Sequence, residues 1–340
     1  VNRRMVTLVA ALVPVVALLL VGMWVTVPFV ALGPGPTFNT LGDVDDKPVV
    51  DIEGTELDPT SGNLNMTTVS VRDGLNIFEA FGFWLSGDHG LRPREEVYPA
   101  DKSRDEVKQE NQADFQQSEQ SAELAALHFL NKPVILEVSE VSPDGPSKDA
   151  LRAGDQLVSI NGAPVRTVGD VQRAVAELAP GTEVSVVVKR DGQDVTVPVA
   201  LGARPGSPAK GYLGITPTER PDVPFTVNFN LAEVGGPSAG LMFTLAVIDK
   251  LSTGELNGGQ FVAGTGTIDS DGDVGPIGGI PYKLIAARDA GATTFLVPAR
   301  NCDEAKQRTP DGLRLVKVEN LDGAVHALES LNAGGDAPAC

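Results

Sequence analysis

Residues 233–245 read EVGGPSAGLMFTL. The reading of this stretch turns on Ser238. It stands between a glycine-proline step and an apolar run, where a serine commonly caps a buried helix, and SAGLMFTLAVIDKL predicts a helix over 238–251. As a cap, Ser238 needs no further role. The same place also suits a nucleophile. Gly235, Gly236 and Gly240 let backbone approach a substrate closely. With Pro237 and Ala239 they form a loop at a helix amino end, where unpaired N–H groups can hold a developing oxyanion. A serine hydroxyl is weak alone and needs a base.

Three histidines offer themselves. His89 lies in a glycine-rich loop, His128 in the apolar end of a long helix and His326 in a terminal amphipathic helix. None stands in a recognisable triad setting, and carboxylates are too acidic at neutral pH unless strongly shifted. A lysine is the other candidate. VGPIGGIPYKLIAA (274–287) places Lys283 alone among apolar and glycine residues. Burial disfavours an ammonium, and a helix amino end repels it, so both would leave a neutral amine able to take the serine proton. The bland alternative is a surface lysine that snorkels.

Outward from these two positions, strands alternate with helices. Strands are expected at 226–230, 260–268, 293–298 and 313–318, with helices at 282–292 and 321–331 and a helix after 301 capped by Asn301. Upstream, NLNMTTVSV (63–71) reads as a strand, 87–103 as irregular, and 104–130 as a long helix buried only at its end. GPGPTFNTLG (33–42) reads as a turn-rich segment and GARPGSPAKG (202–211) as a linker. The fold class is α+β.

The amino-terminal part bears on the compartment. Met5 to Val27 is a nearly unbroken apolar run, long enough to span a bilayer, with Pro14 tolerated inside it. Arg3 and Arg4 flank it on the amino side, which predicts a cytoplasmic N-terminus and an extracytoplasmic bulk. Trp24 and Phe29 fit the outer interface. A cleaved signal peptide is the alternative, but no clear A-x-A site follows. Cys302 and Cys340 could pair outside the cytoplasm or remain free thiols. The net charge of −18 argues against a nucleic-acid partner. No H-E-x-x-H occurs, so no metal site is expected. SPAK (207–210) has the S-x-x-K spacing but contains Pro208 and lacks the partner motifs S-D-N and K-T-G.

Between the two flanking regions, KPVILEVSEV (132–141), a short helical turn at 147–155, QLVSINGAPV (156–165), a helix over 167–178 and a hairpin at 182–201 around Asp191-Gly192 form a compact set. With SPDGPSKDALRAGDQLVSINGAPV, this order resembles a bacterial PDZ domain. The resemblance implies a groove between a strand and a helix where a peptide adds as an extra strand. A spacer without ligand is the alternative.

GGPSAG, TGTI (265–268), PIGGIPYKLIAARDAG and FLVPARN (295–301) together resemble the Lon protease domain. The resemblance implies Ser238 as nucleophile and Lys283 as general base, with Thr265 hydrogen-bonding the lysine. Gly235, Gly236, Pro237 and Ala239 then form the oxyanion and substrate loop. The acid that the family often carries before GPSAG is replaced by Gly235 and Gly236. No G-x-x-x-x-G-K-[ST] loop occurs, so no cofactor is implied and proteolysis would be independent of ATP. With its anchor, the chain resembles membrane-anchored, PDZ-containing Lon-like serine proteases. The implied order is a cytoplasmic end (1–4), a transmembrane anchor (5–30), the first part of the protease domain (36–130), an inserted PDZ-like domain (131–203), the Lon-type catalytic part (204–331) and a tail (332–340). Implied partners are extended or unfolded polypeptides, a peptide ligand of the PDZ-like domain, the membrane, and further copies in a hexamer. A membrane-tethered adaptor with a silent protease fold is the other reading.

Overall fold

The computed structural model describes residues 3–231 and 234–340. The chain divides into two compact units. The first is built from Val1–Ala126 and Thr226–Cys340, the second from the intervening Leu127–Phe225.

The first unit opens with α1 (Arg3–Trp24), 22 residues with almost every side chain exposed. At 1.5 Å per residue it is about 33 Å long, enough to cross a hydrocarbon core of about 30 Å. Next come β1 (Phe29–Asn39), β2 (Val50–Glu53) and β3 (Asn63–Arg72). β1 covers the segment read as turn-rich. Its prolines signal turns, but Pro34 and Pro36 sit at a register shift in the β1–β3 ladder, where a missing N–H is tolerated. α2 (Ile77–Ser86) follows, fixed by a capping box between Asn76 and Glu79. Its sequence, IFEAFGFWLS, is apolar nearly all round and so carries no clear period. β4 (Gly90–Pro93) interrupts the region expected to be irregular, and α3 runs over Arg104–Phe129, with Ala122, Ala125 and Ala126 buried near its end as expected, but with Phe115 and Ser118 buried in its middle as well, where the polar sequence gives no sign of it.

The second unit holds β5 (Val134–Val141), β6 (Gln156–Ile160), α4 (Val168–Ala176), β7 (Glu183–Arg190) and β8 (Gln193–Ala200). Thr167 and Asp170 form the capping box of α4. The stretch expected to be a linker is instead a hairpin of β9 (Gly202–Arg204) and β10 (Ser207–Tyr212), turning at Gly206 with φ +75°. β11 (Ile215–Pro221) closes the unit. Its sheet runs β8-β7-β6-β5-β11, so β11 is an edge strand, and the core is aliphatic, with Val138, Leu157, Val186 and Val188 among its buried members.

Back in the first unit, β12 (Thr226–Phe229) pairs with β2. α5 (Gly240–Leu251) is buried over almost its whole length. β13 (Phe261–Gly264), α6 (Ile280–Ala290), β14 (Thr294–Pro298), α7 (Cys302–Gln307), β15 (Arg314–Val318) and α8 (Leu321–Asn332) complete it. The main sheet is ordered β15-β14-β13-β3-β1-β4. β15, β14, β13 and β3 run parallel, and β1 and β4 continue the sheet antiparallel. Cys302 and Cys340 are joined in a disulfide. Asn301 does not cap α7. Its amide turns back to the loop before α6, accepting from Ile277 N–H and donating to Ile277 C=O, each at 2.9 Å.

Candidate active site

Ser238 lies in a single 3₁₀ turn, Pro237–Ala239, and α5 starts only at Gly240. Ser238 is therefore not the cap of the helix. The reason is visible in its carbonyl, which accepts from Gly266 N–H and from Thr265 Oγ1, each at 3.0 Å. Those bonds hold the turn against the segment leaving β13 and leave the hydroxyl facing away.

What it faces is Lys283. This residue is in the first turn of α6, which begins after Gly279 in the left-handed region and has Pro281 at its start. The side chain is 2% exposed. Its Nζ donates to Thr67 C=O at 3.1 Å and Thr265 Oγ1 at 2.9 Å, and lies 2.7 Å from Ser238 Oγ. Burial alone pushes the amine down from 10.5 to about 7. The threonine hydroxyl spends its proton on Ser238 C=O, so toward the lysine it can only accept, and Thr67 C=O is likewise an acceptor. These two bonds use two N–H groups of the amine. In its neutral form the remaining lone pair points at the serine hydroxyl.

The loop before Ser238 is held from α3. Gly236 N–H donates to Asn111 C=O at 2.8 Å, and Ser118 Oγ donates to Pro237 C=O at 3.0 Å. A Cβ at Gly235 would come within 3.0 Å of Asn111 Cβ, and one at Gly240 within 2.9 Å of Ile268. The bareness of these two glycines thus serves packing against the protein. Gly236 is different: its φ is +86° and the space beside it is open. Ala239 is buried at the base of the turn.

A cleft of about 720 Å³ opens at Ser238 and Lys283. Its walls are mainly apolar: Pro36 and Phe38 from β1, Met66 and Val69 from β3, and Ile277 from the loop that Asn301 holds. No histidine is among the described residues lining it. Past Phe38 and Val234 a second cavity of about 640 Å³ reaches Glu119 of α3, whose carboxyl burial pushes up to about 7. The sequence brought out Ser238, Lys283, Thr265 and the glycine loop, and the structure brings all of them together. It missed Thr67, Asn111, Ser118 and the β1 wall. A main-chain acceptor leaves no signature in residue type, and the prolines of β1 concealed a strand.

Residues 232–329 match the C-terminal proteolytic domain of Lon protease, and residues 107–201 match a PDZ domain. The chain carries a PDZ domain followed by a Lon-type proteolytic domain. A Lon protease from Methylocella silvestris is 34% identical over 175 residues, spanning 50% of this chain and 21% of that protein. One from Heliobacterium modesticaldum is 39% identical over 93 residues, 26% of this chain and 11% of that one. A probable periplasmic serine endoprotease, DegP-like, from Pseudomonas fulva is 35% identical over 88 residues, 26% of this chain and 18% of that one. The chain thus spans less than a quarter of the length of each of these relatives.

Proposed function

We propose that this chain is a membrane-anchored serine endopeptidase that works through Ser238 and Lys283 without ATP, on extended or unfolded protein segments outside the cytoplasm. The observation that carries the reading is the buried amine of Lys283, 2.7 Å from Ser238 Oγ at the floor of an open cleft. Ser238 Oγ attacks the peptide carbonyl as its proton passes to Nζ. The oxyanion forms near the N–H groups of the first turn, Ser238 and Ala239. The C–N bond then breaks, and the departing amine takes the proton back from Nζ. Water, deprotonated by Lys283 Nζ, then attacks the acyl ester; the C–Oγ bond breaks, and Ser238 Oγ takes the proton back from Nζ.

Thr265 and Thr67 orient the lysine and consume its two spare N–H groups. The PDZ domain would select or gate substrates. Its edge strand β11 offers a free side for strand addition, and Glu219 Oε1 on that strand accepts from Val168 N–H at the start of α4. The anchor is α1, with its N-terminus cytoplasmic because Arg3 and Arg4 lie on that side.

The test is cleavage of an unfolded polypeptide such as casein by the purified chain. Wild type should cleave and Ser238→Ala should not. Equal cleavage by both removes the mechanism, and binding without cleavage by either leaves a silent adaptor.

A further inference from the structure

We propose that α2 lies along the membrane surface, with Ile77, Phe78, Phe81, Trp84 and Leu85 set into the boundary between lipid headgroups and acyl chains. The proposal rests on α1 spanning the membrane and adds a second lipid contact beside it. One side of α2 packs inward, where Ala80 and Phe83 meet Ala31, Leu75 and Leu91. The opposite side holds Ile77, Phe78, Phe81, Trp84 and Leu85, at spacings of one and three, which on a helix is one continuous stripe. Phe81 is 58% exposed, Trp84 64% and Leu85 69%. The single charged residue of α2, Glu79, is folded back to accept from Asn76 N–H at 2.9 Å. A stripe of large apolar side chains on that scale is not an ordinary water-facing surface.

The position of α2 identifies what covers it. The Phe78 ring lies against Gly22, in the last turn of α1, so closely that a Cβ there would stand 2.9 Å from it. Val27 N–H donates to Leu75 C=O at 2.8 Å, and Thr26 and Asn76 form an antiparallel bridge. The start of α2 is therefore pinned to the end of α1, the level at which a membrane helix leaves the hydrocarbon. Trp24, 83% exposed, marks the same level, and tryptophan favours that boundary. An apolar helix held there lies in the plane of the interface with its apolar face turned to lipid. α2 carries no basic residue, so the contact is apolar and does not depend on anionic lipid. One consequence concerns reach. β1 starts at Phe29, and Pro36, on the cleft wall, is seven residues along it. A strand that long spans about 25 Å at most, so the cleft stands close above the bilayer.

The chain has two tryptophans, so Trp24→Phe leaves Trp84 as the sole tryptophan, excited selectively over tyrosine at the red edge of the absorption band. This full-length variant is reconstituted in phosphatidylcholine vesicles, with and without acyl-chain-brominated lipid. The expected result is blue-shifted Trp84 emission, strongly quenched by the brominated lipid, resistant to aqueous iodide, and unchanged when part of the lipid is made anionic. Adding Phe81→Glu with Leu85→Glu, both at exposed positions, should shift the emission to the red and open it to iodide while thermal unfolding is preserved. Vesicle-bound protein whose Trp84 is open to iodide overturns the interfacial contact and leaves the anchor standing. Shielding from both quenchers that disappears on dilution in lipid means a second copy covers the face, and also overturns it. A chain that fails to float with vesicles overturns the contact and the anchor together.

Discussion

Lys283 Nζ lies 2.7 Å from Ser238 Oγ although 45 positions separate the two residues, and burial is what lowers the lysine pKa. The folded state holds the amine near 7, and the unfolded chain near 10.5. Between those values the unfolded chain binds a proton that the folded chain does not, so stability should rise with pH across that window. Below about pH 7 the folded protein must carry a buried ammonium, at a cost on the order of 5 kcal/mol. Lys283→Met removes the group. Urea unfolding from pH 6 to 10 should show the slope in wild type and a much flatter profile in the variant, which should be the more stable protein at the acidic end and should not cleave.

With Lys283 as the proposed base, the same titration should set the rate. Only the neutral amine accepts the serine proton, so peptide cleavage should climb through about pH 7 and level off at higher pH. A profile of kcat/KM against pH checks this. A rate that falls on raising the pH from 6 to 8 would mean that a protonated group does the work.

Thr265 holds both partners at once, donating to Ser238 C=O and accepting from Lys283 Nζ. Thr265→Val keeps the shape and loses both bonds. Ser238 C=O keeps Gly266 N–H as a donor, so the stability loss should be modest, about 1–2 kcal/mol. The catalytic loss should be larger, roughly 10- to 100-fold in kcat, as befits a misaligned proton acceptor. Thr265→Ser should recover most of it. A loss confined to KM would argue against positioning.

Asn301 acts on the cleft at one remove. Its amide exchanges two hydrogen bonds with the backbone of Ile277, a wall residue. Asn301→Leu leaves the half-buried N–H and C=O of Ile277 without their side-chain partner, which should cost about 1–2 kcal/mol. It should raise KM for peptides more than it lowers kcat, because the wall moves and the Ser–Lys pair does not. Steady-state kinetics on one peptide separate the two.

How far the sequence carries differs from residue to residue. The β-branched strand and the long polar helix are legible to within a few positions, with 63–71 against Asn63–Arg72 and 104–130 against Arg104–Phe129. Lys283 was legible because a lone charge in apolar company has few explanations, and it is indeed buried. Three features were hidden for distinct reasons. Prolines in GPGPTFN signalled turns, yet a register shift absorbs them within β1. α2 is apolar nearly all round, so no clear 3.6-residue period marks it. Asn301 has a capping residue's identity, yet its tertiary partner, Ile277, outcompetes the helix end. The glycines around Ser238 suggest room for substrate, whereas at 235 and 240 the room is already taken by the protein.

The most direct measurement is capture of the acyl-enzyme. The protein is mixed with an activated ester of a short peptide, quenched in acid and digested for mass spectrometry. The account predicts an acyl group on the fragment containing Ser238, growing faster as pH rises through about 7 and absent from Ser238→Ala and Lys283→Met. Acylation at another residue, or equal acylation of Ser238 in the Lys283→Met protein, would contradict it.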